Sequence, residues 1–245
     1  MSGLYPITAV LRRSLASFVA VAMLGLLTWP AAAAEPVKVG CVEFPPLTYT
    51  GGDGRATGRA VELVSVILER AGLEYQVTCY PGARLMASLR DGSVQVAMLI
   101  RHPDLLSSVQ YGALPMARID LRAYRRAGTT PLGRVENSRG KRVVVLRGYG
   151  YGGWIDFFRD PANSVAVSYA DSREAAVRML SGGHGDYLID YVPPEVLGAK
   201  DEAFLVETLA RLDTYFVVSN KAPNPTALLR RLEDIFADMG ARPVE

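Results

Sequence analysis

The sequence predicts an α/β fold in two lobes, each built on a parallel-type sheet flanked by helices. Two observations carry this. From Pro36 the chain reads strand, helix, strand, helix, strand, and from Lys141 it reads the same order again. A βαβαβ run places its strands in parallel with right-handed crossovers, because only a crossover helix can return the chain to the same sheet edge.

The elements follow from local pattern. A strand is expected over 37–42 ("VKVGCV"), followed by the turn-rich "FPPLTYTGGDGRATG". Ala60, Leu63, Val64, Ile67, Leu68 and Ala71 share one helical face, and Gly72 stops that helix. A strand over 75–79, a short helix opened by Pro81 and a strand over 94–100 complete the first set. The second set is a strand at 142–146, a helix from about 153, a strand at 165–169, a helix at 172–181 and a strand at 186–190. "DSRE" at 171–174 reads as a capping box, Asp171 accepting the first N–H groups and Glu174 reaching back. After "DTYFVVSN" a last helix starts with Asn224 as its cap and Pro225 at its first position. Its buried face is Leu228, Leu229, Leu232, Ile235, Phe236 and Met239.

The first 34 residues read as a leader outside the fold. Arg12 and Arg13 precede an apolar run from Leu15 to Leu27, and Ala32-x-Ala34 offers a cleavage site before Glu35. That is the pattern of a secretory signal peptide, its apolar run too short for a comfortable membrane span. The remaining 211 residues are thus expected in the periplasm, with no membrane insertion and as a monomer. Arg12 and Arg13 are the leader's only charges, which leaves 25 basic against 25 acidic side chains. A balance near zero gives no electrostatic case for nucleic acid.

Cys41 and Cys79 each end an expected strand. In an oxidising compartment they form a disulfide if those strands are neighbours, or else remain as two buried thiols. Without C-x-x-C, redox catalysis is not expected. His102 and His184 are the only histidines, so neither a His-rich metal site nor a serine triad is available. No catalytic residue, metal or cofactor is expected.

One motif argues the other way. Gly148, Gly150 and Gly153 in "LRGYGYGGWID" spell G-x-G-x-x-G between a strand and a helix, and Asp171 stands about where a ribose ligand would be sought. Free N–H groups at such a helix start suit a carboxylate as readily as a phosphate. Asp171 has a sufficient role as a cap, and an exported protein meets little nicotinamide cofactor. The loop is read as a ligand loop.

The ordered set "FPPLTYTGGDGRATGRAVELVSVILERAGL", "GKRVVVLRGYG", "GDYLIDYVP" and "YFVVSNKAPN" resembles the polar-amino-acid-binding family of periplasmic solute-binding proteins, solute-binding protein family 3. The resemblance implies the two-lobe type II periplasmic binding protein-like fold, with two hinge crossovers and a ligand held between the lobes. Residues 36–117 with 216–245 would form lobe one and 118–215 lobe two. It implies capture of a small polar solute, an amino acid or amine, by a non-enzyme serving an inner-membrane ABC permease. Two alternatives share the fold: a periplasmic dehydratase using Glu43 or Asp190 as a general acid, and an orphan sensory module.

The site residues are assigned against plainer readings. Asp190 corresponds to the family's amine-binding Asp; otherwise it is a turn residue before Val192-Pro193. Phe44 corresponds to the aromatic that packs on the ligand, or is a core plug, and Glu43 adds a carboxylate beside it. Gly148 belongs to the ligand loop, while Tyr149 and Tyr151 either touch ligand or cover the lobe surface. Where relatives carry a Gly/Thr pair and a carboxylate-clamping Arg, this chain has Met98, Ile100 and Leu105. Arg101, with His102 beside it, either substitutes for that clamp or is solvated at a strand end. Gly82 replaces a frequent Trp, with Tyr80 expected to fill that wall.

Overall fold

A computed structural model describes residues 35–192, 204–240 and 242–244. The predicted leader, and Pro193 after Val192, lie outside the described residues. In chain order the elements are β1 (Val37–Val42), β2 (Tyr49–Thr50), β3 (Ala56–Thr57), α1 (Arg59–Arg70), β4 (Tyr75–Tyr80), α2 (Gly82–Asp91), β5 (Val96–Leu99) and β6 (Val109–Arg125). There follow β7 (Arg142–Leu146), α3 (Trp154–Arg159), β8 (Ala166–Ala170), α4 (Arg173–Ser181), β9 (Tyr187–Val192), β10 (Leu205–Ser219) and α5 (Pro225–Asp238). Among the described residues no helix is long and apolar enough to cross a membrane.

The strands lie in the order β4-β1-β5-β10-β6-β9-β7-β8. β1 is parallel to β4 and β5, and β7 is parallel to β8 and β9, as the βαβαβ runs require. The two expected sheets are joined into one of eight strands. The cause is the length of β6 and β10, 17 and 15 residues, which pair antiparallel from Val109↔Ser219 to Arg125↔Leu205. Each hydrogen-bonds one parallel set at one end: β10 to β5, and β6 to β9. Each long strand is paired on both sides only where it meets its parallel set, at Tyr215–Val218 of β10 and Asp120–Arg125 of β6.

α1 buries Ala60, Val64, Ile67 and Leu68 at the spacing that puts them on one face. Val64, Ile67 and Leu68 join Val39, Val96, Met116, Phe216 and the α5 residues Leu229, Leu232 and Phe236 in one apolar cluster. The last helix therefore packs back on the start of the chain. A fully buried Leu, Ile or Phe of this kind contributes about 1.5–3 kcal/mol through burial. A second cluster gathers Leu121, Val143, Val145, Ile155, Phe158, Tyr187 and Ile189 around β7 and β9.

Cys41 and Cys79 are register partners on β1 and β4, with Cα atoms 4.3 Å apart, and they are disulfide-bonded. The expected capping box is replaced by a simple cap one residue later, since Ala175 stands at its third helical position. Ser172, not Asp171, caps α4, its Oγ accepting from Ala175 N at 3.2 Å, and Asp171 pairs with Arg147 at 2.8 Å. Asn224 stands at the cap position of α5, left-handed and with no side-chain hydrogen bond to the helix.

Candidate functional site

The carboxyl ends of β1, β7 and β9 and the starts of α2 and α4 converge on a cleft of about 550 Å³. This is where open α/β sheets bind ligands, and the size suits a small molecule. One wall is Glu43, Phe44 and Pro45 with Pro81, Gly82 and Ala83; the other is Leu146, Arg147 and Tyr149 with Asp171 to Glu174, and Asp190 also lines it.

The walls touch at two glycines. Gly148 has φ +84°, and a Cβ there would lie 2.6 Å from Ala83 Cα and closer still to Ala83 N. A Cβ on Gly82 would lie 2.8 Å from the Tyr149 ring. Only glycine allows both the left-handed backbone and this approach. Beyond the contact, Arg159 of α3 pairs with Asp104 at 3.1 Å, spanning the two βαβαβ sets.

Asp190 carries the electrostatics. It is 1 % exposed, and burial raises its carboxyl to about 6 against the opposing pull of Arg173 and the Tyr191 N–H. Arg173 Nη2 lies 2.9 Å from Asp190 Oδ2 and also donates to the Tyr191 carbonyl at 2.6 Å. The Arg173 side chain remains 42 % exposed, so the pair presents one buried anion and one accessible cation to the cleft. Arg173 was not legible as a site residue, because in sequence it is an ordinary first-turn residue of a helix.

Tyr149 lines the cleft and stacks on Tyr191, ring centroids 5.3 Å apart; burial holds its phenol well above the ordinary range, so it stays neutral. Phe44 is buried and lines the same cleft. Glu43 is on the wall, its carboxylate accepting from Thr50 N at 3.1 Å and Thr50 Oγ1 at 2.5 Å.

Three expectations need correction. Tyr151 is fully buried, its hydroxyl accepting from Leu146 N at 2.6 Å, and it lines no part of the cleft. Tyr80 does not line the cleft either; its ring lies under the Arg84 guanidinium at 5.3 Å. The glycine loop also offers fewer N–H groups than its sequence suggests. Tyr149 N, Gly152 N and Gly153 N already donate to Leu146 O, the Tyr191 hydroxyl and Gly150 O.

Arg101 is held as well. Its guanidinium lies 4.7 Å from the Tyr215 ring centroid and 5.4 Å from that of Tyr111, and donates to Gly112 O at 3.1 Å. Such a cation–π seat explains an Arg at a strand end without any clamp. Among the described residues no group of three or more His, Cys, Asp or Glu could hold a metal ion.

No family model matches the chain, and no curated protein matches its sequence. Solved structures do. Holo ArgBP from T. maritima aligns with a TM-score of 0.66 and 19 % identity, over 84 % of this chain and 91 % of its own. A histidine kinase sensor domain similar to periplasmic binding proteins gives 0.69 and 17 %, over 84 % and 90 %. The substrate-binding protein of an amino acid ABC transporter gives 0.64 and 12 %, over 84 % and 92 %. The chain has the two-lobe, type II periplasmic binding protein-like fold.

Proposed function

We propose that the protein captures a small zwitterionic solute, an amino acid or a close amine-bearing relative, between two lobes that close by hinge motion. Lobe one is residues 36–117 with 216–245, and lobe two is 118–215. The observation that supports this reading is the Asp190–Arg173 pair in the cleft. A buried carboxylate beside a half-exposed guanidinium is complementary to a ligand carrying an ammonium beside a carboxylate. The ammonium takes Asp190 and the carboxylate takes Arg173, in place of the clamp lost at Met98, Ile100 and Leu105. Phe44 and Tyr149 cover the ligand, Glu43 completes the cleft wall, and Gly148 borders the space behind it.

The protein works in the periplasm after removal of residues 1–34, as a monomer, and delivers its solute to an inner-membrane ABC permease. Its part is binding rather than catalysis, in keeping with the binding proteins and substrate-binding protein of the same fold. A sensory role is the second reading, favoured by the likeness to the kinase sensor domain; it uses the same binding step with a different partner.

A thermal-shift screen of the purified protein against amino acids, amines, organic acids and small peptides tests the reading. Binding raises the melting temperature by mass action. Amino acids or amines should stabilise, and Asp190→Asn should weaken the best of them by about 30-fold or more. Stabilisation by organic acids alone, or a hit that Asp190→Asn binds as tightly, overturns it.

A further inference from the structure

Behind Phe44, Gly82 and Tyr149, which it shares with the cleft, lies a smaller pocket of about 80 Å³. A water-sized site needs about 15 Å³ of such space, so it holds a fragment of about five heavy atoms. Its lining is mainly apolar, with Leu85, Met86, Met98 and Ile100 among its walls. Arg101 borders it, with its guanidinium held by Gly112 O and the Tyr215 ring. Three buried polar groups break that lining, and two are satisfied: Thr48 and Thr214 donate to Val42 O and Ala117 O. The third is His102.

His102 is 6 % exposed and lines the pocket, its ring edge set against Gly150, another lining residue. Nδ1 accepts from Asp104 N at 3.1 Å, so in the neutral ring the hydrogen is on Nε2. Burial lowers the imidazole's affinity for a proton and keeps it neutral. Nε2 is buried with no partner in the protein. An N–H donor left unpaired in an apolar wall is costly, and an acceptor brought by a ligand removes that cost.

We infer that the inner pocket is the specificity subsite of the cleft and takes an uncharged, mainly apolar side group that brings one oxygen acceptor, such as an ester or amide carbonyl, to His102 Nε2. A carboxylate is disfavoured because His102 offers one neutral donor and the Arg101 guanidinium is already engaged by Gly112 O and the Tyr111 and Tyr215 rings, so the loss of its hydration is not compensated. An ammonium is excluded because it brings a second donor. The inference rests on the zwitterion reading of the outer cleft, where the ligand's head would sit.

Isothermal titration of the purified protein with three amino acids tests it: the γ-methyl ester of L-glutamate (neutral carbonyl), L-norleucine (no acceptor) and L-glutamate (anionic). The ester should bind about 10-fold tighter than either of the others. His102→Phe, which keeps the ring volume without the donor, should erase its advantage over norleucine; His102→Gln, which keeps a donor, should retain part of it. Circular dichroism melts establish that both variants fold, and the three-ligand order in the parent stands as a test if one does not. Equal binding of all three, glutamate binding best, or an ester preference that survives in His102→Phe overturns this inference alone. No binding by any of the three overturns the zwitterion reading, and this inference with it.

Discussion

Arg173 and Asp190 are joined by a 2.9 Å ion pair in which one partner is open to the cleft and the other is buried. The helix cap explains the geometry. Because Ser172 rather than Asp171 caps α4, Arg173 is the first helical residue, beside the end of β9. A pair built this way holds a charge that water does not reach.

The pair makes stability depend on pH with a definite sign. The folded carboxyl of Asp190 titrates at about 6, above its ordinary value of 3.8. Its contribution is therefore largest below the unfolded value and is lost as pH rises through the folded one. The difference is about 3 kcal/mol across that window. Asp190→Asn lacks this dependence, so its stability relative to the parent should rise between pH 4 and pH 6 and stay level above pH 7. Urea unfolding of both proteins at pH 4, 5, 6 and 7.5 measures this; a constant difference across the series contradicts it.

The walls of the cleft meet where Gly148 approaches Ala83. An alanine at 148 meets both a left-handed backbone and the start of α2, and neither can give way cheaply. Gly148→Ala should lower stability by more than 1 kcal/mol. It should also enlarge the radius of gyration in small-angle scattering, as the walls are pushed apart. An alanine variant with the parent's melting temperature and scattering profile would show that the walls do not meet there.

The Cys41–Cys79 bridge spans a sequence separation of 38. By chain entropy, closing such a loop stabilises the fold by about 4 kcal/mol. Intact mass of the unreduced protein should be two hydrogens below the dithiol, and Cys41→Ala with Cys79→Ala should unfold at markedly lower urea concentration. Two alkylatable thiols in protein recovered from the periplasm would refute the bridge.

The regular elements were legible because each carries a short period. α1 and α5 show an apolar face every three to four residues, and the β1 and β7 runs are apolar enough to mark themselves. β6 was not read as one strand because Gly112 and Pro115 interrupt it and buried charges follow. Asp120 and Arg122 are tolerated inside because they pair with each other at 2.9 Å and Asp120 also meets Arg211 at 3.3 Å. That compensation comes from β10, far away in sequence. The cleft lining was legible from position along the strands: Phe44 and Tyr149 stand just beyond β1 and β7, and Asp190 lies near the end of β9. Tyr149 and Tyr151 look alike in a glycine loop, and only the backbone turn at Tyr151, φ +53°, sends one inward. Arg173 and His102 gain their meaning from partners that sheet order and loop packing bring to them.

The long strand pair is also the join between the two parallel sets. β6 and β10 form a spine whose ladder slips register between Thr208 and Ala210, Thr214 and Tyr215, and Tyr215 and Val217. Pro115, which has no N–H to offer, stands opposite Tyr215 in the second of these places. Two of the three slips thus fall within 214–217, where β10 turns from β6 alone to pairing with β5 as well. Thr214 also lines the inner pocket. A group seated there would therefore touch the strand pair at its most irregular point, where the two parallel sets are joined.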